Sequence, residues 1–186
     1  MAQLRRLIED LLDTGAILNG TLAIERVPLD FTSLVASVVE DVRPTVEEKG
    51  LKLESSCRDA FAVLGDTGRL QQVVFNLLTN ATKFTPSGSI VVAIEAHAGR
   101  AYLSVKDTGM GVAKARQLEI FDRFNRGDVG RYDGMGGLGL GLWVVKTIVE
   151  AHGGANSMTS AGVGQGSTFS VSLPMIDHVP DVSLTP

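Results

Sequence analysis

The chain has 186 residues, 44% hydrophobic and 20% charged, with a net charge of −4. That suffices for one ordinary globular domain with a short appendage and excludes a disordered chain. No Lys/Arg block argues for nucleic acid or an anionic membrane surface, no apolar run reaches the length of a membrane span, and no signal-peptide pattern opens the sequence. Cys57 is the single cysteine, so there is no internal disulfide and no thiolate metal cluster, and a reducing, cytoplasmic setting is expected.

In chain order, Leu4, Leu7, Ile8, Leu11 and Leu12 form an i, i+3, i+4, i+7, i+8 stripe, which predicts an amphipathic helix over 2–14. It is too short to be stable alone and should pack on another helix. Gly15 and Asn19-Gly20 punctuate the chain, residues 21–27 read as a strand, and Pro28 is expected to end it. Asp30 or Thr32 can cap a helix carrying Leu34, Val35, Val38, Val39 and Val42 to about Lys49. Short strands are predicted at 51–55 and 61–64, then a helix at 66–84. Pro86-Ser87-Gly88 makes a turn before strands at 90–97 and 101–106, joined at Ala98-Gly99-Arg100. A glycine-rich, charged segment covers roughly 121–136. A helix over 139–152 stops at Gly153-Gly154, and strands at 155–160 and 167–173 close the domain. The domains read as 1–20, the appended helix; 21–174, the globular unit; and 175–186, a flexible tail. The order implies an α+β fold: a two-layer sandwich with a mixed sheet and three main helices on one face.

The helix at 66–84 carries the first chemical signal. Asn76, Asn80 and Lys83 fall at i, i+4 and i+7 on one stripe, while Leu70, Val73, Val74, Leu77, Leu78 and Ala81 form a separate apolar face. Asparagine is a mediocre helix former, so two on one stripe call for a reason. Amide oxygens suit Mg²⁺ and the lysine suits phosphate. From this helix alone, a solvated outer face explains the stripe equally well. Asp107-Thr108-Gly109-Met110-Gly111-Val112 follows a strand, where the carboxylate can accept from an exocyclic amine or can simply end the strand in a turn. Gly134-Met135-Gly136-Gly137-Leu138-Gly139-Leu140-Gly141-Leu142 opens the helix at 139–152 and offers an anion site or a flexible loop. The G-x-G-x-x-G match within it is not a dinucleotide fingerprint, because no hydrophobic strand leads into it. Phe121 and Phe124 can anchor a lid with Arg123 or Arg126 free to reach a phosphate; core packing and solvated charge are the plain alternatives. His97, His152 and His178 pair with no carboxylate at ligand or relay spacing, so all three are expected to be structural or idle and Ser/His/Asp and Cys/His catalysis get no support; His152 lies in a last helical turn, where a cation is favoured.

These blocks, in this order, resemble the ATP-binding catalytic domain of sensor histidine kinases. Residues 72–85 resemble the N box, 107–112 the G1 box, 120–126 the F box, 137–142 the G2 box and 164–169 the last glycine box; 7–28 resemble the end of the second dimerisation-hairpin helix and the strand after it. The resemblance spans nearly all of 4–174 and implies the Bergerat-type ATP-binding fold, with ATP and Mg²⁺ as cofactors. It implies that Asn80 ligates Mg²⁺, that Asn76 lies beside the phosphates with Lys83 paired to them, and that Asp107 holds the adenine amine. Gly109 and Gly111 would shape the pocket, Phe84 would lie against the nucleotide, and Gly137, Gly139 and Gly141 would wrap the triphosphate. Leu138, Leu140 and Thr168 would line the nucleotide site, and Arg126 would meet the γ-phosphate. Related ATPases of the gyrase and heat-shock-chaperone type carry a Glu where this chain has Asn76, and an amide cannot serve as a general base, so transfer to a protein is implied over hydrolysis.

Two departures stand out. Leu138 occupies a position where the family usually has a small hydroxyl residue, and no helix bearing a phosphoacceptor histidine is present. The chain is therefore expected to act on a histidine-bearing hairpin supplied elsewhere, in a parent that is homodimeric and feeds a response regulator, with no nucleic acid and no direct membrane contact. The alternatives are a non-catalytic nucleotide-binding regulatory (pseudokinase) module and an anti-sigma-type serine kinase on the same fold.

Overall fold

A computed structural model describes residues 15, 23–57, 59–122 and 139–177. The predicted helix at 2–14, and the segment with Arg123, Phe124, Arg126, Gly137 and Leu138, lie outside the described residues. The elements run β1 (Val27–Asp30), α1 (Phe31–Glu48), β2 (Lys52–Ser56), β3 (Ala62–Gly65), α2 (Thr67–Phe84), β4 (Ser89–His97), β5 (Arg100–Asp107), a short 3₁₀ turn (Lys114–Arg116), α3 (Gly141–Ala151), β6 (Ala155–Thr159) and β7 (Ser167–Pro174). Five strands form one mixed sheet, ordered β2-β4-β5-β7-β6; β2 and β4 are parallel and the other pairs antiparallel. Strands β1 and β3 form a separate antiparallel pair. This is the expected α+β sandwich.

Period-2 alternation gives the sheet one apolar face. Ile90, Val92 and Ile94 of β4, Leu103 and Val105 of β5, and Phe169 and Val171 of β7 are buried against the helices. The apolar stripes read from the sequence supply the other side: Val35, Val39 and Val46 of α1, Leu70, Val74 and Leu78 of α2, and Val145 and Ile148 of α3 are all buried. Asp30 caps α1, its side chain accepting from the Ser33 N–H at 3.1 Å, and Asp66 caps α2 by accepting from the Arg69 N–H at 3.0 Å.

Four expectations change. Pro28 does not end a strand but lies within β1, where it pairs with Leu64; among the described residues β1 bonds only to β3, and an edge strand tolerates a residue with no N–H. Helix α3 starts at Gly141 rather than 139 because Gly139 has φ +70°, in the left-handed region. The start of the expected tail is paired: Met175 bridges to Val63, and the Ile176 N–H donates to the Ala62 carbonyl at 2.9 Å. His152 is not a cation at a helix end. It is buried, its Nδ1 donates to the Ile148 carbonyl at 2.7 Å, and its Nε2 accepts from the Asp66 N–H at 3.0 Å. Only a neutral ring has both a donor and an acceptor to offer, and burial holds its pKa below the usual histidine range.

Candidate functional site

Helix α2 supplies the first wall. Asn76 is only 7% exposed, and its Nδ2 lies 3.4 Å from the carbonyl of Gly141, the first residue of α3. A solvated outer face is thus wrong for Asn76, which belongs to the α2–α3 seam. One turn on, Asn80 is half-buried. Lys83 is half-buried too; its Nζ sits 4.8 Å from the centroid of the Phe84 ring, and burial lowers its pKa. Lys49, just past α1, donates from Nζ to the carbonyls of Thr82 (2.5 Å) and Lys83 (3.2 Å), so the last turn of α2 is satisfied by a cation at the negative helix end.

The loop after β5 supplies the second wall. The strand's alternation turns Asp107 toward the helix side, where it is 4% exposed. Its Oδ1 accepts from the Gly109 N–H at 2.8 Å and its Oδ2 from the Ser167 hydroxyl at 2.9 Å. Burial raises the Asp107 pKa and the hydrogen bonds from Gly109 and Ser167 oppose the rise. Each carboxylate oxygen has two lone pairs, so acceptor capacity remains for an incoming amine. The loop presses against α2: the Met110 N–H donates to the Phe84 carbonyl at 3.0 Å, and a Cβ on Gly109 would lie 2.2 Å from that oxygen. Gly111 has φ +64°, and a Cβ there would lie 2.0 Å from the Gly162 carbonyl oxygen, so both glycines are required by close approach of backbone.

The last glycine box is placed differently from the sequence reading. Ser167 pairs across the sheet with Asp107, whereas Thr168 pairs with Lys106, one residue out of phase. Period 2 therefore turns the Thr168 side chain to the sheet's other face. Ser167 could have been found in the sequence, since Phe169 is an evident core residue and the residue two before it shares its face.

Gly141 brings the start of α3 against Asn76 in the middle of α2, while the loop 107–111 packs on the last turn of the same helix at Phe84. Phe121, the lid anchor among the described residues, is buried and meets Phe169 edge-on at 6.1 Å, which makes it a core residue. An open depression of about 440 Å³ borders Asp107 and Ser167, but its lining also takes in Lys106, Thr159 and Thr168 and none of Asn76, Asn80 or Lys83. Lys106, Thr168 and Thr159 are paired across β5, β7 and β6 on the outer face, so this hollow is not the site that α2 borders.

The donors suit a Mg²⁺–nucleotide. Among the described residues no three of His, Cys, Asp and Glu cluster, so a resident metal cage is absent there; an ion held through one amide oxygen and substrate phosphates matches how Mg²⁺ is bound. Beside Gly109, the Thr85 hydroxyl is fully buried and has no hydrogen-bond partner, an unmet polar group at the edge of the Asp107 loop.

Residues 65–177 match the family described as histidine kinase-, DNA gyrase B-, and HSP90-like ATPase. The circadian input-output histidine kinase CikA of Synechococcus elongatus is 36% identical over 179 residues, covering 92% of this chain and 23% of its own length. The autoinducer 2 sensor kinase/phosphatase LuxQ of Vibrio parahaemolyticus is 33% identical, with coverages of 92% and 21%. This chain therefore spans less than a quarter of these curated relatives. Among solved structures, full-length ShkA in complex with AMPPNP superposes with a TM-score of 0.82 at 31% identity, covering 95% of this chain and 37% of that one. The mycobacterial sensor histidine kinase MprB gives 0.69 at 30% identity, with coverages of 81% and 97%.

Proposed function

Because the chain belongs to the histidine kinase-, DNA gyrase B-, and HSP90-like ATPase family, we propose that it is the ATP-binding catalytic domain of a sensor histidine kinase. It moves the γ-phosphoryl of ATP to a histidine on a dimerisation hairpin of a homodimeric parent, on the cytoplasmic side, and a response regulator receives the phosphate next. The observation that carries this reading is a pair of buried polar side chains, the Asp107 carboxylate at the head of the loop that packs on the end of α2 and the Asn76 amide on α2 itself.

In this reading Asp107 accepts the adenine amine, and the close backbone contacts of Gly109 and Gly111 keep its loop thin enough for a flat ring. Asn76 lines the phosphate end, and its amide has no basicity with which to activate water. Lys83 supplies positive charge to the phosphates, and burial strengthens that pairing. Asn80 would hold Mg²⁺, whose charge would help neutralise the phosphates during transfer. Phosphoryl transfer needs little more from the protein than positioning and charge stabilisation, and amides, a lysine and a carboxylate suit that task.

The test mixes this chain with γ-labelled ATP and a separately produced dimerisation hairpin of its parent kinase. The expected product is an acid-labile phosphoprotein, lost in Asn80→Ala. Nucleotide binding with no transfer would refute the kinase reading in favour of a regulatory module, and an acid-stable product would point to serine.

A further inference from the structure

The loop around Gly109 and Gly111 is tied down by hydrogen bonds, three of whose partners, Ser160, Gly164 and Gly166, belong to the turn between β6 and β7. The Gly166 N–H donates to the Gly109 carbonyl at 3.0 Å and the Gly164 N–H to the Met110 carbonyl at 2.6 Å. One half-buried hydroxyl joins the two segments. Ser160 Oγ accepts from the Val112 N–H at 3.1 Å and from the Gly162 N–H at 3.2 Å, and it donates its single proton to the Gly166 carbonyl at 2.6 Å. That uses both lone pairs and the only hydrogen a serine has. Gln117 closes the clamp: its Nε2 donates one hydrogen to the Val112 carbonyl at 3.0 Å and the other to the Ser160 carbonyl at 2.9 Å. The turn also backs the recognition carboxylate, since a Cβ on Gly166 would lie 2.1 Å from the Asp107 carbonyl oxygen.

We propose that Ser160, assisted by Gln117, is a positioning residue for nucleotide recognition: its hydroxyl fixes the loop 107–112, and so fixes Asp107 and Gly109 relative to Phe84. Neither side chain touches the base. They act through Val112 and Gly166, adding side-chain links to the backbone bond that joins Gly166 to Gly109. This inference rests on the reading of that loop as the adenine site. It adds the prediction that affinity and turnover separate. Loosening the loop weakens base recognition, while the phosphate end, built from α2 and the start of α3, is held by other contacts.

The experiment is calorimetric titration of ATP into the chain, with KM and kcat for phosphorylation of the supplied hairpin, for wild type, Ser160→Ala, Ser160→Thr and Gln117→Leu. Ser160→Ala orphans three backbone groups and should raise both the ATP Kd and KM by about tenfold. Its kcat at saturating ATP should stay within about twofold of wild type. Ser160→Thr keeps the hydroxyl and should restore the affinity. A lowered melting temperature with unchanged Kd, or a fall in kcat with unchanged KM, overturns the proposal. If Ser160→Ala does not fold, Gln117→Leu, at a half-exposed position, decides: a raised KM supports the clamp and a wild-type KM refutes it. Wild type that binds no ATP would overturn the underlying reading as well. Loss of binding in Asp107→Asn alongside wild-type affinity in Ser160→Ala would sink only the clamp.

Discussion

Asp107→Asn separates recognition from stability more cleanly than any other change in this chain. In the folded protein Asp107 Oδ1 accepts from the Gly109 N–H and Oδ2 from the Ser167 hydroxyl. An asparagine can keep its oxygen on Gly109, and its NH₂ can donate to Ser167 Oγ once that hydroxyl rotates, so the unliganded network survives. The charge term points the same way. The folded pKa is raised above 3.8 by burial, so the fold binds the Asp107 proton more tightly than the unfolded chain does. Ionised Asp107 therefore costs stability as pH rises from 3.8 through the folded pKa, and above that pKa the cost is constant. At pH 7.5 the Asn variant is free of that cost and should melt at or slightly above the wild-type temperature. Binding should behave oppositely. A hydrogen bond to a charged acceptor contributes about 1.5–3 kcal/mol, so the ATP Kd should rise about 10- to 150-fold. Calorimetric titration at pH 7.5 with a parallel melt measures both quantities. Unchanged affinity would refute the adenine assignment, and a collapsed melting temperature would show that the network argument is wrong.

Two further outcomes follow from buried geometry. Wild-type stability should be flat above about pH 6.5 and fall below it, because the unfolded chain takes up a proton at His152 that the fold, with its depressed pKa, refuses. Urea titrations from pH 7.5 to 5 check this, and His152→Leu should flatten the profile while losing about 1–3 kcal/mol at pH 7.5 through the orphaned Asp66 N–H and Ile148 carbonyl. Gly111→Ala and Gly50→Ala share a left-handed φ (+64° and +78°), but only position 111 meets another atom. Gly50→Ala should cost about 1–2 kcal/mol and Gly111→Ala clearly more. Equal denaturation midpoints would refute the contact with Gly162.

The helices among the described residues were legible because their apolar stripes repeat at 3.6 residues and each of those stripes found its core. The sheet order was not, because it is set by pairings far apart in sequence: β2 bonds in parallel to β4, and β7 inserts between β5 and β6. Boundaries failed where a single backbone angle decided them, as at Gly139, or where edge position excused a proline, as at Pro28. In the site, the residue types could be read but not their surroundings. Thr168 and Ser167 differ only in phase, and the phase is fixed by pairing with Asp107 rather than by composition. Ser160 and Gln117 left no signal at all, since their partners are backbone atoms and any sequence offers those.

The same distinction divides the asparagine stripe. Asn76 and Asn80 are equivalent by spacing, yet Asn76 is buried against the start of α3 and Asn80 is half-buried one turn nearer the helix end. Replacing Asn76 therefore disturbs the α2–α3 seam as well as any ligand, whereas replacing Asn80 removes an oxygen with less packing around it. A metal arriving with its nucleotide keeps several of its own oxygen ligands and needs room for them. The more open of two equivalent amides can give it that room, and this depth difference, invisible in the spacing, supports the proposal that a metal would go to Asn80 while Asn76 belongs to the seam.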